Sequence, residues 1–370
     1  MTEPATPADE LWIDSPAALE AQFTETPDRI GLDTEFIRER TFWPQLALVQ
    51  IAIADRVLLV DPTVEGMPET LRMVLGDTRT LKIMHSASED MVAFGHTCNM
   101  LPSPVFDTQI TASLAGITPG IGYQRLVQEL LGVALDKGET RSDWLRRPLT
   151  PSQRHYAAED VRHLFALHDA LSAQLAALGR TAWAAQDCAL FVEQAGDGID
   201  PWPHLALRAA QNLDAPGQAR LLRLLRWRDS RARERDMPRN WVLPQDLALD
   251  IARANPASTD ALGTVLARNP KAPRSLAPLI LDAMATPHPD EPDMPLAQDD
   301  RQQDRARLQR LQAKVAARSA ELGLGDGVLA PRRLLLAWLE SGAWPERISA
   351  WRRAELETLV STPEPADAPA

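Results

Sequence analysis

The period of the apolar positions changes near residue 200. Before it, short apolar runs at 11–13, 29–35, 46–55, 56–61 and 80–85 read as strands, and 103–108 is strand-like. The runs 46–55 and 56–61 meet at Asp55-Arg56 as a hairpin. Helical spacing appears at 88–96 and 122–132. It is longest at 150–179, which opens on Thr150 as a cap and Pro151 in the first turn. Strands first and strand–helix alternation afterwards predict an α/β layer with a mixed sheet. "AGDGIDPWP" (195–203) reads as a linker. Beyond it only helical patterns follow, at 204–212, 216–235, 244–254, 258–268, 272–285, 301–322, 331–341 and 349–360. "TPHPDEPDMPLAQDD" (286–300) is Pro-rich and acidic, a second linker. "STPEPADAPA" (361–370) reads as a disordered tail. The expected organisation is an α/β domain over 1–195 and all-α pieces over 204–285 and 301–360.

Composition narrows the class. The chain has 370 residues, 45% of them apolar, enough for cores in two or three domains. No apolar run is long enough to span a membrane. The opening "MTEPATPADE" lacks the basic and apolar regions of a signal peptide. Cys98 and Cys188 are the only cysteines. They build no disulfide framework, which points to the cytoplasm. The histidines lack zinc-ligand spacing. There is no Gly-rich phosphate loop and no G-x-S-x-G elbow. Residues 1–195 hold 15 basic and 27 acidic side chains, whereas 196–370 hold 24 of each. An acidic half is a poor nucleic-acid surface, but it suits carboxylates that hold divalent cations.

Three acidic stretches carry the candidate chemistry. In "RIGLDTEF" (29–36), Asp33 and Glu35 share one strand face and repel each other unless a positive charge lies between them. In "MHSASEDM" (84–91), Glu89 and Asp90 begin a helix just past a strand's carboxyl end, where α/β sheets place active sites. In "HYAAEDV" (155–161), Tyr156 and Asp160 are four apart and share one helix face. Tyr123 is the only other tyrosine.

"LDTEF", "MHSASEDM" and "YAAEDV", in this order, resemble the three motifs of the tyrosine-bearing branch of the DEDD 3′–5′ exonucleases. "DTEFIRERTFWPQLALVQIA", "FDTQI" (106–110) and "LVQELLGVALDKGETRSDWLRRPLTPSQRHYAAEDV" bring the resemblance closer to the ribonuclease D family. It implies a ribonuclease H-like mixed-sheet fold, with Asp33, Glu35, Asp90 and Asp160 as metal ligands. Glu89 diverges from Asp90 by about 100° on a helix, and the family pattern selects Asp90. Tyr156 would orient or help deprotonate the attacking water. The charge shared by Asp33 and Glu35 would be two Mg²⁺ or Mn²⁺ ions about 3.5–4 Å apart, clamping the attacking and leaving oxygens. Phe36, Phe42 and Trp43 are candidates to stack terminal bases, with Gln45 and His85 as further substrate contacts.

The segment 219–262 resembles the HRDC domain, named for helicases and ribonuclease D. Its Arg220–Arg239 stretch holds eight arginines among three acids, with Arg223, Arg226 and Arg233 as candidate phosphate contacts. Residues 301–360 resemble a second, degenerate HRDC bundle whose first helix carries Arg301, Arg305, Arg307, Arg310, Lys314 and Arg318. The resemblance implies an exoribonuclease that trims structured RNA, tRNA precursors above all, to 5′-mononucleotides, and a cytoplasmic monomer is the expected form. The rivals are a DNA exonuclease of the same fold and a non-catalytic RNA-binding scaffold. No helicase or polymerase motif accompanies the first, and a complete acid set argues against the second.

Overall fold

The computed structural model describes residues 9–361, apart from 136–137, 140–141, 197, 199, 270–271 and 298–301. The expected tail beyond Ser361 and Arg301 of the basic helix lie outside the described residues. The chain forms two compact units: residues 1–37, 45–196 and 304–370 make the first, and 38–44 with 197–303 make the second. No helix among the described residues is long and apolar enough to cross a membrane.

The first unit runs β1 (Asp9–Ile13), α1 (Pro16–Glu20), β2 (Arg29–Ile37), β3 (Gln45–Ile53), β4 (Arg56–Val60), α2 (Met67–Gly76) and β5 (Leu81–Met84). It continues through α3 (Ser88–Thr97), β6 (Val105–Asp107), α4 (Thr108–Leu114), α5 (Tyr123–Leu131), α6 (Pro151–Arg162), α7 (Leu164–Ala177) and α8 (Thr181–Gly196). The sheet order is β1-β4-β3-β2-β5-β6. β3 is antiparallel to both β2 and β4, and the other pairs are parallel. This is the mixed sheet that the strand–helix order implies. From Leu46 onward β3 is buried and, apart from Gln50, apolar on both sides, as befits a strand covered on both faces. The β3–β4 turn lies at Ala54-Asp55, one residue earlier than the sequence suggests, with Ala54 at φ 52.

β2 alternates. Ile30 and Leu32 pack into a core with Met67, Leu71, Leu75, Met91 and Phe94 of α2 and α3. Gly31, Asp33 and Glu35 face the opposite layer. There a Cβ on Gly31 would lie 3.2 Å from Leu164 Cδ1 and 3.1 Å from Ala52 Cβ, so glycine lets the α6–α7 junction sit close on the strand. Ala47, Ala52, Ile83, Trp144, Ala157, Val161 and Leu164 fill that second core.

The pattern at 150–179 predicts one helix, but the structure breaks it at His163 (φ −100, ψ 0). The cause is a side chain inserted into the ladder. The Tyr123 hydroxyl donates to the Glu159 carbonyl at 3.0 Å and accepts the His163 N–H at 3.3 Å. Those two backbone groups would otherwise pair as i and i−4.

The second unit contains α9 (Ala215–Glu234), α10 (Arg239–Val242), α11 (Gln245–Ala254), α12 (Thr259–Leu266) and α13 (Ala277–Ala285) around Leu221, Leu224, Leu247, Ile251, Leu262 and Ile280. The expected helix at 204–212 is instead two 3₁₀ turns, Pro203–Ala206 and Arg208–Asn212. The one at 272–285 starts as a 3₁₀ turn, and Pro278 seats the first turn of α13. Residues 38–44 cluster here too: Phe42 packs with Ala232 and Val242.

The last helices, α14 (Gln302–Glu321), α15 (Arg332–Ser341) and α16 (Ala350–Ser361), correct the expectation of a self-contained bundle over 301–360. Leu308, Val315, Leu335, Trp351 and Leu356 share one core with Leu114, Leu175 and Ala184. Trp351 stacks on Trp183 with centroids 4.2 Å apart. Arg352 and the Trp351 indole both bond the buried Asp187. Polar ties of this kind use up surface that a free-standing bundle would leave wet.

Candidate active site

Two periods meet at the site. Four helical residues advance about 6 Å, and two strand residues advance nearly the same. The pair Tyr156 and Asp160 on α6 therefore keeps step with Glu35 and Asp33 on β2, and Leu164 lies just past the break at His163. Leu164 touches Gly31. Asp160 acts on Asp33 and Glu35, and Glu35 acts on Tyr156. Asp90 arrives from the first turn of α3, beyond the end of β5. Its carboxylate accepts the Thr34 hydroxyl.

The electrostatics show how close the four acids are. Burial, then the charges of Asp90, Asp160 and Glu35, hold the Asp33 carboxyl well above its ordinary range. Burial, then Asp160 and Asp90, push Glu35 up to about 9. Burial takes Asp160 to about 7 against the pull of the Tyr156 hydrogen bond. It takes Asp90 to about 6 against that of Thr34. Among the described residues no cation offsets these shifts. Crowded, largely desolvated and uncompensated carboxylates suit a hard divalent cation, so the donor set fits a metal. Among the described residues no three acids, histidines or cysteines are placed to hold a metal ion together as they stand. Asp90 and Asp160 are turned instead to the hydroxyls of Thr34 and Tyr156.

The surrounding residues fix this constellation. Asp107, almost fully buried, accepts the N–H groups of Ala87 (3.0 Å), Gln109 (2.8 Å) and Ile110 (3.0 Å), tying the turn before Asp90 to the start of α4. Arg147 donates to Asp61 at 2.5 and 2.8 Å and to the Ala47 carbonyl at 2.6 Å. It thereby pins the segment that brings buried Trp144 to 6.1 Å from the Tyr156 ring. On another side of that ring, a Cβ at Gly138 would come within 2.7 Å of Tyr156 Cδ2. Thr34, Asp107, Gly138, Trp144 and Tyr123 all escape the motif reading. Thr34 points away from its flanking acids, Asp107 caps α4 locally but also reaches back twenty residues to Ala87, and the others act through contacts that sequence spacing does not encode.

The substrate candidates divide. Phe36 is half-buried against the first core, and Gln45 is exposed at the start of β3. His85 is packed, its Nδ1 2.8 Å from Thr108 Oγ1 and its ring edge-on to Tyr123. Phe42 corrects the stacking expectation. It is a core residue at 4% exposure, its ring covered by the guanidiniums of Arg233 and Arg239. Trp43 lies edge-on to Phe42 at 4.8 Å, with Arg233 over its ring. The arginine cluster is corrected in the same way. Arg223 is bidentate to Glu291, Arg226 to Asp290, and Arg233 binds Asp229. These arginines neutralise the unit's own carboxylates, so they do not form an open phosphate-binding surface. The sequence count missed this because Asp290 and Glu291 lie in the stretch read as a linker.

Comparison with known proteins agrees with this geometry. A 3′–5′ exonuclease family model matches residues 12–176, and an HRDC domain model matches 217–283. A ribonuclease D of Xanthomonas oryzae pv. oryzae is 53% identical over 94% of this chain and 97% of its own. A ribonuclease D of Pseudomonas paraeruginosa is 34% identical over 93% and 95%. The crystal structure of Escherichia coli RNase D, described as an exoribonuclease involved in structured RNA processing, superposes with a TM-score of 0.81. It is 30% identical and covers 95% of this chain and 98% of that one. With a mixed sheet, four acids converging beside it, a tyrosine one turn from the last of them and an HRDC region later in the sequence, the chain belongs to the ribonuclease D family of 3′–5′ exonucleases.

Proposed function

We propose that this chain hydrolyses RNA from the 3′ end to 5′-mononucleotides, with Asp33, Glu35, Asp90 and Asp160 holding two divalent ions, Mg²⁺ or Mn²⁺. The observation that carries this reading is the set of four crowded acids, Asp90 buried and the other three half-buried, with no cation among the described residues to offset them. Bound ions would supply Lewis-acid activation of water and charge stabilisation at the leaving oxygen. The chain's own contribution is position. Tyr156, one turn from Asp160 and hydrogen-bonded to it, orients or helps deprotonate the attacking water. Trp144 and Gly138 hold the ring in place. The natural substrates are the 3′ ends of tRNA precursors and other structured RNA, processed by a monomer in the cytoplasm. The names of the relatives support RNA over DNA.

The test is incubation with 3′-labelled RNA and DNA in Mg²⁺, Mn²⁺ or EDTA. RNA should shorten stepwise to 5′-mononucleotides, EDTA should stop it, and Asp33→Asn should be inactive while remaining folded. Hydrolysis that survives EDTA, or full activity in Asp33→Asn, would overturn the metal assignment. Preference for DNA would restore the DNA exonuclease, and binding without hydrolysis the scaffold.

A further inference from the structure

We infer that Tyr123 is a positioning residue for metal binding: its hydroxyl, wedged into the α6–α7 backbone, sets the break that aims Asp160 at Asp33. This rests on the metal reading above. The hydroxyl satisfies the Glu159 carbonyl and the His163 N–H, on either side of Asp160 in the chain. Two polar backbone groups are thereby held apart at the cost of one side chain. An unbroken helix would join them directly. The wedge is itself braced. The His85 ring lies edge-on to Tyr123 at 5.6 Å, and His85 is fixed by Thr108, whose hydroxyl donates to the Met84 carbonyl at 3.0 Å. The end of β5, the start of α4 and α5 thus converge on one turn of α6. The phenol must stay protonated to donate, and burial beside Asp160 and Asp33 ensures it.

Asp160 is one residue past Glu159, so a change in pairing there moves its carboxylate. Tyr123→Phe keeps the ring and its packing but removes the wedge. The freed carbonyl and N–H are natural partners and close on each other, which straightens the junction. Groups that orient metal ligands are worth roughly 10–100-fold in metal affinity, so the Mg²⁺ concentration for half-maximal activity should rise by that factor. Turnover at saturating Mg²⁺ should be largely recovered.

The experiment uses the full-length protein and two readouts: the Mg²⁺ dependence of RNA hydrolysis, and the Mg²⁺ dependence of thermal unfolding without RNA. Melting in EDTA checks that Tyr123→Phe folds. A right-shifted Mg²⁺ midpoint in both readouts supports the wedge. A variant with the wild-type midpoint overturns it, whatever its melting temperature, because a purely structural tyrosine would change stability alone. Wild-type protein that responds to no divalent ion in either readout would overturn the metal reading and this inference together.

Discussion

Removing an active-site charge should stabilise this protein when metal is withheld, and Glu35→Gln is the cleanest case. Glu35 is held at about 9 in the folded chain, against an ordinary value of 4.5. A raised carboxyl means the folded state binds its proton more tightly than the unfolded state. The associated stability is complete below about pH 4.5 and is lost as pH rises towards 9. Near pH 7, about 2.5 units of that window have been crossed. At about 1.4 kcal/mol per unit, the wild type gives up about 3 kcal/mol relative to a side chain that never ionises. This is a ceiling, since Glu35 keeps some solvent contact. For a unit of this size about 2 °C accompanies each kcal/mol, so Glu35→Gln should melt up to about 6 °C higher in EDTA near pH 7. Near pH 5 the gain should shrink to about 1 °C. With Mg²⁺ the order should reverse, because only the wild type has the full ligand set. Thermal unfolding over this pH range, with EDTA and with Mg²⁺, reads all of this. A variant no more stable than wild type in EDTA at pH 7, or a gain that does not shrink towards pH 5, would refute the reasoning.

Tyr156→Phe should lower turnover by roughly 10²–10⁴-fold with little change in RNA affinity. Wild-type turnover in single-turnover assays would return Tyr156 to packing. A chain ending at Gly196 should melt well below the full protein and aggregate, because it uncovers Leu114, Leu175 and Trp183 and leaves buried Asp187 without Arg352. Equal melting temperatures would show that α14–α16 are dispensable to the first unit.

The acids were legible because ionisable residues are costly to bury and their spacing is local. Asp33 and Glu35 sit two apart, Tyr156 and Asp160 four apart, and each spacing fixes a face. The strands were legible for the same reason, as runs of one period. What escaped is non-local. The break at His163 comes from a tyrosine on another helix, so nothing in 150–179 announces it. α2 and α8 were not read as helices, and α8 packs largely through small residues such as Ala184 and Cys188. Arg223 and Arg226 of α9 looked free because their partners lie more than sixty residues away. Phe42 was open to a stacking role because its core partners, Ala232 and Val242, lie some two hundred residues away.

The division of the chain also bears on the order of its synthesis. The unit that holds the four acids is written in three separate stretches, and Leu308, Leu335 and Leu356 of the last complete a core begun by Leu114 and Leu175. Domains usually form as they leave the ribosome, first-made first. Here the segment 197–303, made later, has its own core and is interrupted only by the need for Phe42, which is already present. It can close while the catalytic unit still waits for its final helices. Completion of the first unit's core therefore waits for α14–α16, although Asp33, the first of its four acids, is made long before them.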